Sequence, residues 1–346
     1  MKYFQKIATA ICLLGMVSAA YAGNPQRAGQ AGAPELLINP WARSAGWGGV
    51  NIAGVTGVES SFINIAGIAN TNGTEVSFVN TQWLVGAGIG INAAGFNQSV
   101  GDNGVLAASF VSFDYGSWER TTVSSPEGGI GTISPSTAII GLGYAQKFTE
   151  AIRGGVNIKI YSTSMVDMNV TSASVDAGVQ YITGARDQMK FGITLKNIGP
   201  SAQYEGEGQS LTLVVPQGGY SQEYNERSED FELPATLTIG GSYDFEFDQQ
   251  RLTVAGAFQS NSFEKDIYTV GAEYSWKEIV SVRAGYNFFD NRTYAETTTV
   301  FNGLNAGVSF DVPLSKDNDN SFQLDYAYRS TDMFSGVHSI GVSIVL

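Results

Sequence analysis

The sequence predicts an all-β fold: a 14-stranded antiparallel transmembrane β-barrel with an N-terminal plug. Three observations predict this fold class. The chain of 346 residues begins with an export signal, its later part alternates apolar and polar residues, and 15% of its residues are charged whereas 12% are aromatic. No apolar run after the leader approaches the roughly 18 residues of a transmembrane helix. An exported chain that enters a membrane without helices is expected to do so as a closed barrel.

The first 22 residues are predicted to be a signal peptide that is removed. Two lysines precede a mostly apolar stretch, and the tripeptide "AYA" supplies the small-x-small pattern that signal peptidase reads, so cleavage is expected between Ala22 and Gly23. An N-terminal membrane helix is the alternative, for which the apolar stretch is short. The only cysteine, Cys12, lies in this segment, so the mature chain is expected to have no disulfide and no thiolate metal site.

Residues 23–73 show little alternation and hold much glycine and alanine. Their apolar side chains are too many for a disordered leader, so a folded plug, here called the hatch, is expected inside the barrel mouth. The glycines of "ARSAGWGGV" at 42–50 follow no strand and precede no helix signal or lysine, which argues against a phosphate-binding loop. We expect Arg43 to face a carboxylate of the lumen. The residues predicted to pack or anchor the hatch are Trp41, Arg43, Gly46, Trp47, Gly48, Gly49 and Asn64.

From about residue 74 to 346, a period of two dominates and predicts barrel strands. Many runs last about 11–14 residues and carry aromatic residues near their ends, which favours strands in a bilayer over the alternative of a water-soluble sandwich. The even count would bring both ends of the barrel to the periplasmic side. The predicted strands are 74–84, 86–98, 105–120, 137–148, 152–165, 170–183, 188–198, 235–247, 250–261, 266–277, 279–289, 298–312, 320–330 and 336–346.

The connections support the same topology. They are short after predicted strands 4, 6, 8 and 10, and long after strands 3 and 7, at about 121–136 and 199–234. Short periplasmic turns and longer extracellular loops are typical of outer-membrane barrels. The long loop 199–234 is rich in acidic residues and is the largest exterior surface available to a partner. The residues predicted to bind a partner there are Glu205, Glu207, Tyr220, Tyr224, Glu226 and Arg227.

The inward faces of the predicted strands carry charges of both signs. Such charges could line a selective pore, or they could pair with one another across a plugged lumen, and the hatch favours pairing. The inward charged residues are Arg153, Lys159, Asp176, Lys190, Lys196, Asp244, Glu246, Glu273, Arg283, Asp325 and Arg329.

Motifs for catalysis or cofactor binding are weak. "GAGIG" at 86–90 is interpreted as part of a strand with glycines on one face, because a dinucleotide fingerprint needs a different spacing and a following helix. Adjacent strand residues point to opposite faces, so His338 and Ser339 cannot form a nucleophile–base pair. No cluster has metal-ligand spacing. We therefore expect no enzyme, cofactor or metal, and the net charge of −13 argues against nucleic acid as a partner.

Several segments together resemble a known family. "ARSAGWGG" and "NIAGIA" of the hatch, followed by "TEVSFVNTQWL", "SFDYGSWERTT", "YAQKFTEAIRGGVNIK" and "SVDAGVQY", resemble the PorV/PorQ proteins, which are FadL-like outer-membrane barrels of the Bacteroidetes. Trp47 stands where that family often has methionine, and Ile65 replaces a proline, which suggests a paralogue. The resemblance implies a 14-stranded barrel with a hatch, located in the outer membrane.

The resemblance also implies a non-enzymatic role in type IX protein secretion. The expected partners are a translocon barrel of the SprA type, the C-terminal domains of secreted cargo, proteins of the attachment complex and outer-membrane lipid. The alternative is FadL-like uptake of hydrophobic small molecules through a lateral opening. A third possibility is a structural barrel that stabilises another complex.

Overall fold

The computed structural model describes residues 23–215, 218–289, 299–314 and 320–346. The predicted signal peptide, and with it Ala22 at the expected cleavage site, lies outside these residues. Within the described ranges no helix is long and apolar enough to cross a membrane.

The described chain forms a closed barrel of 14 antiparallel strands, which confirms the predicted fold class. Each strand pairs with its neighbours in sequence, and β1 closes the ring by pairing with β14 over eight residue pairs, from Glu75 with Val345 to Gln82 with His338. The strands are β1 Thr74–Trp83, β2 Ile89–Val100, β3 Gly104–Asp114, β4 Ser136–Lys147, β5 Ile152–Met165, β6 Met168–Thr183, β7 Met189–Ile198, β8 Thr236–Phe247, β9 Gln250–Asn261, β10 Ile267–Trp276, β11 Val280–Phe289, β12 Phe301–Pro313, β13 Ser321–Thr331 and β14 Val337–Val345.

Two strand predictions were wrong in detail. The strand expected at 105–120 ends at Asp114, whose Oδ1 accepts a hydrogen bond at 2.9 Å from the Gly116 amide and turns the chain. The strand expected from residue 86 begins at Ile89, because Gly86 (φ +106°) and Gly88 (φ +74°) form the preceding turn. The motif "GAGIG" is therefore mainly a turn, since these two glycines adopt backbone conformations that other residues rarely reach.

The two mouths of the barrel differ in their connections. The mouth with the long loops 115–135 and 199–235 is the extracellular one by the general rule for such barrels, and the mouth with the short turns and the C terminus is periplasmic. They are called the outer and the inner mouth below. Between them, alternate residues such as Val156, Ile158 and Ile160 present exposed apolar side chains outward, where lipid would cover them.

The hatch runs through the lumen from the outer to the inner mouth. At the outer mouth the Asn24 amide donates to the Asn261 carbonyl over 3.4 Å, and at the inner mouth Ser99 Oγ donates to the Thr71 carbonyl over 2.8 Å. The helical segments between these points are no longer than six residues. They are 3-10 helices at Pro25–Arg27, Pro34–Leu37, Val50–Ala53 and Ile65–Asn70, and α-helices at Ala42–Ala45 and Ser60–Ile63.

Apolar packing joins the hatch to the wall of strands β2 to β6. The largest buried cluster contains Leu36, Trp41 and Val58 of the hatch together with wall residues such as Phe113 and Tyr161. A second cluster packs Ile65 and Ile68 of the hatch against Val105, Ala107 and Ala145 near the inner mouth. Apolar contacts between the hatch and the wall thus fill much of this half of the lumen.

On the other half, hatch backbone lies directly on glycines of the wall. A Cβ added at Gly285 of β11 would lie 2.3 Å from the Trp47 carbonyl oxygen, and one added at Gly192 of β7 would lie 2.6 Å from the Ile52 carbonyl oxygen. Carbon atoms cannot approach a backbone oxygen this closely, so any side chain at these positions displaces the hatch.

We expect Gly285→Ala to destabilise the hatch-filled barrel, because the new methyl group overlaps the backbone of Trp47. Overpacking of this kind costs about 1–3 kcal/mol. The measurement is the temperature at which the purified barrel loses its compact migration in SDS gels, with conductance in planar bilayers as a second readout. The control is Gly256→Ala, since a Cβ at Gly256 has only Thr269 O at 4.0 Å. Equal melting of the two variants would contradict this packing.

Candidate functional site: the plugged lumen and its outer rim

Arg283 of β11 lies at the centre of the lumenal charges. Its side chain is fully buried, its Nε donates to Glu273 Oε2 over 2.8 Å, and its Nη1 lies 3.8 Å from Asp325 Oδ1. Glu273 is directly opposite on β10, whereas Asp325 is two strands away on β13. Arg283 reaches Asp325 because Gly307, its partner on β12, has no side chain. The same carboxylate of Glu273 also accepts from Arg251 over 3.2 Å.

Arg43 connects the hatch to these lumenal charges. Arg43 Nη2 lies 3.3 Å from Asp311 Oδ2, and the Arg43 carbonyl accepts from Arg283 Nη1 over 3.4 Å. Burial by itself would lower the pKa of Arg43, but the surrounding carboxylates, Asp311 foremost, raise it, so the guanidinium stays charged. The structure thus places Arg43 opposite a lumenal carboxylate.

Glu59 is the acidic member of the hatch in the same region. Its Oε2 accepts from the Ser44 amide over 2.9 Å and its Oε1 from Asn51 Nδ2 over 3.4 Å. Burial raises the pKa of Glu59 to about 7, against the opposing effect of Arg43. Glu59 therefore connects two helical segments of the hatch. It was not predicted, because a single glutamate in a glycine-rich segment gives no pattern.

The remaining predicted hatch residues are distributed over both sides of the hatch. Trp41 and Trp47 are buried, Gly46 approaches Gly307 so closely that a Cβ would lie 2.9 Å from its Cα, and Gly48 and Gly49 both have φ near +75°. Asn64 Nδ2 donates to the carbonyls of Ile52 at 3.0 Å and Val179 at 3.1 Å.

A second set of ion pairs lies on strands β5 to β8. Lys159 Nζ lies 2.9 Å from Asp176 Oδ1, and Lys190 Nζ lies 2.7 Å from Asp244 Oδ2. Most inward charges therefore pair across strands instead of lining an open pore. Within the described residues three inward cations form no ion pair, namely Arg153, Lys196 and Arg329.

The long outer loop 199–235 is anchored at its base, where it contacts the hatch. Ala202 and Phe231 exchange two backbone hydrogen bonds of 2.8 Å, and Ala202 and Leu233 are buried in the large apolar cluster. The hatch contacts this base: Arg27 Nη2 lies 2.8 Å from Glu232 Oε1, and the Gly32 amide donates to the Glu232 carbonyl over 3.1 Å.

Beyond its base the loop projects a β-hairpin, in which Ser210–Val214 pairs with Ser221–Asn225. Tyr220 and Tyr224 are exposed, as are the remaining residues predicted to bind a partner there, Glu205, Glu207, Glu226 and Arg227. The structure therefore brings these six residues to the outer surface of one loop. The anchoring residues Ala202, Phe231 and Leu233 were not predicted, because nothing in a loop sequence distinguishes a buried base from an exposed tip.

His338 and Ser339 lie next to each other on β14 but make separate contacts. His338 Nδ1 lies 2.7 Å from Tyr326 Oη on the outward face, whereas Ser339 Oγ lies 2.7 Å from Thr81 Oγ1 in the lumen wall. The two residues thus point to opposite faces. Among the residues that the structure describes, no group of three or more His, Cys, Asp or Glu residues is placed to hold a metal ion.

We expect Arg283→Met to be strongly destabilising, because it leaves the buried carboxylates of Glu273 and Asp325 without their main partner. Breaking a buried pair from one side costs about 3–5 kcal/mol. Urea unfolding of the refolded barrel, followed by tryptophan fluorescence, measures the change. The control Arg120→Met removes the exposed pair with Asp167 and should cost at most about 1 kcal/mol. Similar losses in both variants would refute the central role of Arg283.

Comparison with solved structures agrees with the barrel. The monoaromatic hydrocarbon channel CymD has a TM-score of 0.56 and 15% identity, with 89% of this chain and 97% of that chain covered. The Pseudomonas putida toluene transporter TodX also has a TM-score of 0.56, with 11% identity and the same coverage. At such low identity the likeness shows the fold alone, that of a FadL-like barrel. No curated protein matches the chain.

The family comparison overturns the resemblance to PorV/PorQ. The model of the type IX secretion system membrane protein PorP/SprF matches residues 130–328, more than half of the chain. The misleading likeness began with the glycine-rich hatch motif, whose glycines are required by positive φ angles and by contact with the wall. A motif whose glycines are required by the packing of the hatch indicates the fold and does not distinguish between families that share it. The chain belongs to the PorP/SprF family of type IX secretion system membrane proteins, and it is located in the outer membrane as a β-barrel.

Proposed function

We propose that the protein is a non-enzymatic component of type IX secretion that recognises secreted cargo or the translocon barrel through its outer loops. The observation that carries this proposal is the loop 199–235. It holds seven acidic residues and one basic residue, and it projects from a barrel whose lumen is plugged. A charged, exposed loop on a rigid platform suits recognition of a partner at the cell surface.

The hairpin of this loop combines charge with apolar contact area. Leu213, Val214, Tyr220 and Tyr224 are each at least 46% exposed, and the two paired strands of the hairpin bring them to one end of the loop. Exposed tyrosines surrounded by acidic side chains resemble the composition of binding hot spots with a polar rim. The partner surface would accordingly be basic with an apolar centre, and proteins of the attachment complex are further candidates for it.

We expect neutralisation of three loop acids to weaken the association with secretion partners, because it removes the electrostatic complementarity of the rim. Recovery of secretion subunits or cargo with the full chain from native outer membranes, quantified by mass spectrometry, should fall about tenfold, equivalent to about 1.4 kcal/mol. The substitutions are Glu207→Gln, Glu223→Gln and Glu226→Gln.

A matched control changes three exposed acids at the inner mouth and should leave recovery unchanged. These substitutions are Glu150→Gln, Asp187→Asn and Asp248→Asn. The proposal would be abandoned if the unmodified chain captured neither secretion subunits nor cargo, or if the two triple variants behaved alike.

Uptake of hydrophobic small molecules is the second candidate function. It is favoured by a cavity of about 320 Å³ between the hatch and the outer rim, and by the names of CymD and TodX as hydrocarbon channels. Against it, the outer part of β6 that extends beyond its pairing with β7 is covered by the long loop. A Cβ at Gly199 would lie 2.3 Å from the Ala173 carbonyl oxygen, and Glu205 pairs with Asn169, so the loop closes this gap in the wall. Liposomes containing the protein should take up labelled toluene faster than protein-free liposomes if this candidate is correct.

A further inference from the structure

In the part of the chain that the structure describes, the two sides of the outer half of the lumen differ in packing. Next to strands β2 to β6 the large apolar cluster fills the space, whereas next to strands β7 to β13 the cavity of about 320 Å³ remains. The hatch forms its floor with residues such as Gly49, Phe62 and Ile63, and Pro34 and Leu37 lie on its side. A volume of this order accommodates a small molecule.

Four aromatic rings line this cavity. Trp83 of β1 and Phe301 of β12 form an edge-to-face pair with centroids 5.6 Å apart, and Phe62 of the hatch and Phe289 of β11 add two more rings. Flat apolar walls of this kind favour a ligand with an aromatic or short aliphatic body.

Two cations reach into the same cavity. The Arg329 guanidinium lies 4.1 Å from the centroid of Phe301 and 5.5 Å from that of Trp83, and Lys196 Nζ lies 4.3 Å from the centroid of Phe62. In the part of the chain that the structure describes, neither forms an ion pair, although the chain has 32 acidic and 19 basic residues. Elsewhere in the lumen the cations Arg283, Lys159 and Lys190 each have a carboxylate partner.

The aromatic faces compensate these cations only in part. A cation–π contact contributes about 0.5–2 kcal/mol, whereas the desolvation of a charge costs several kcal/mol. Lys196 gains one further contact, a 3.3 Å hydrogen bond to the Phe62 carbonyl. Both side chains therefore retain hydrogen-bonding capacity for an anion that enters the cavity.

The acidic groups of the cavity lie at its outer rim. Glu264 and Asp266 belong to the loop between β9 and β10, together with Lys265. Neither carboxylate forms an ion pair with Lys196 or Arg329 within the residues described. The cavity is thus basic and aromatic in its interior and of mixed charge at its entrance.

We propose that this cavity is a binding site for a small amphipathic carboxylate, with the carboxylate held by Arg329 or Lys196 and the apolar body packed against the aromatic rings. A neutral hydrocarbon of the same shape would leave the cations without an anion and binds less well. The site is independent of partner recognition at the outer loop.

Calorimetric titration of the full chain in lipid nanodiscs tests this site, and nanodiscs avoid occupation of the cavity by detergent. The probes are phenylacetate, its neutral isostere phenylacetamide, toluene, and straight-chain carboxylates from acetate to decanoate. We expect phenylacetate to bind about tenfold more tightly than phenylacetamide, because only the carboxylate pairs with a cation. This comparison uses the unmodified chain, so it does not depend on the folding of a variant.

Arg329→Gln and Lys196→Gln identify the cation that holds the carboxylate. At least one of them should weaken phenylacetate binding about tenfold and leave phenylacetamide binding unchanged, whereas the control Arg186→Gln, at the inner mouth, should change neither. Equal binding of phenylacetate and phenylacetamide, tighter binding of toluene, unchanged binding in both variants, or the absence of binding by every carboxylate in the series would each overturn the proposal.

Discussion

The position of the hatch depends on the buried guanidinium of Arg283. A charge that is fully removed from water must be paired, and Arg283 satisfies this requirement with Glu273 on β10 and Asp325 on β13 while it also donates to the hatch at Arg43. Gly307 and Gly46 leave the space in which these groups meet. A shift of the hatch by one residue would separate Arg43 from Asp311 and place a side chain against Gly307, so the network fixes one arrangement.

This polar anchor and the apolar cluster hold opposite sides of the hatch. Apolar side-chain packing around Trp41 and Tyr161 holds the side of the hatch next to β2–β6. Ion pairs such as Arg43–Asp311 hold the side next to β10–β13. Within the described residues, a cavity of about 320 Å³ remains beside the hatch in the outer half of the lumen. The cavity therefore lies beside the apolar cluster, on the side of the lumen where charges hold the hatch.

The strands were predictable from the sequence, whereas the contacts of the hatch were not. Period-two alternation depends only on neighbouring residues, so all 14 strands were located, and errors occurred where Gly86, Gly88 and Gly116 turn the chain. Glu273 and Asp325, the partners of Arg283, lie on other strands and reach it only through the register in which those strands pair. No local sequence pattern encodes that register. A carboxylate opposite Arg43 could be expected on electrostatic grounds, but its identity as Asp311 could not.

The hatch and the outer loop form one connected unit. Glu35 of the hatch accepts hydrogen bonds from Tyr115 and Tyr161 at the outer ends of the wall, and Arg27 pairs with Glu232 at the base of the acidic loop. The base is therefore ordered before any partner arrives, and the exposed hairpin is presented from a fixed position. A loop that is ordered in advance loses less conformational entropy on binding, which leaves more of the contact energy for affinity. The hatch therefore fills the lumen and also holds the base of the outer loop in a fixed position for recognition.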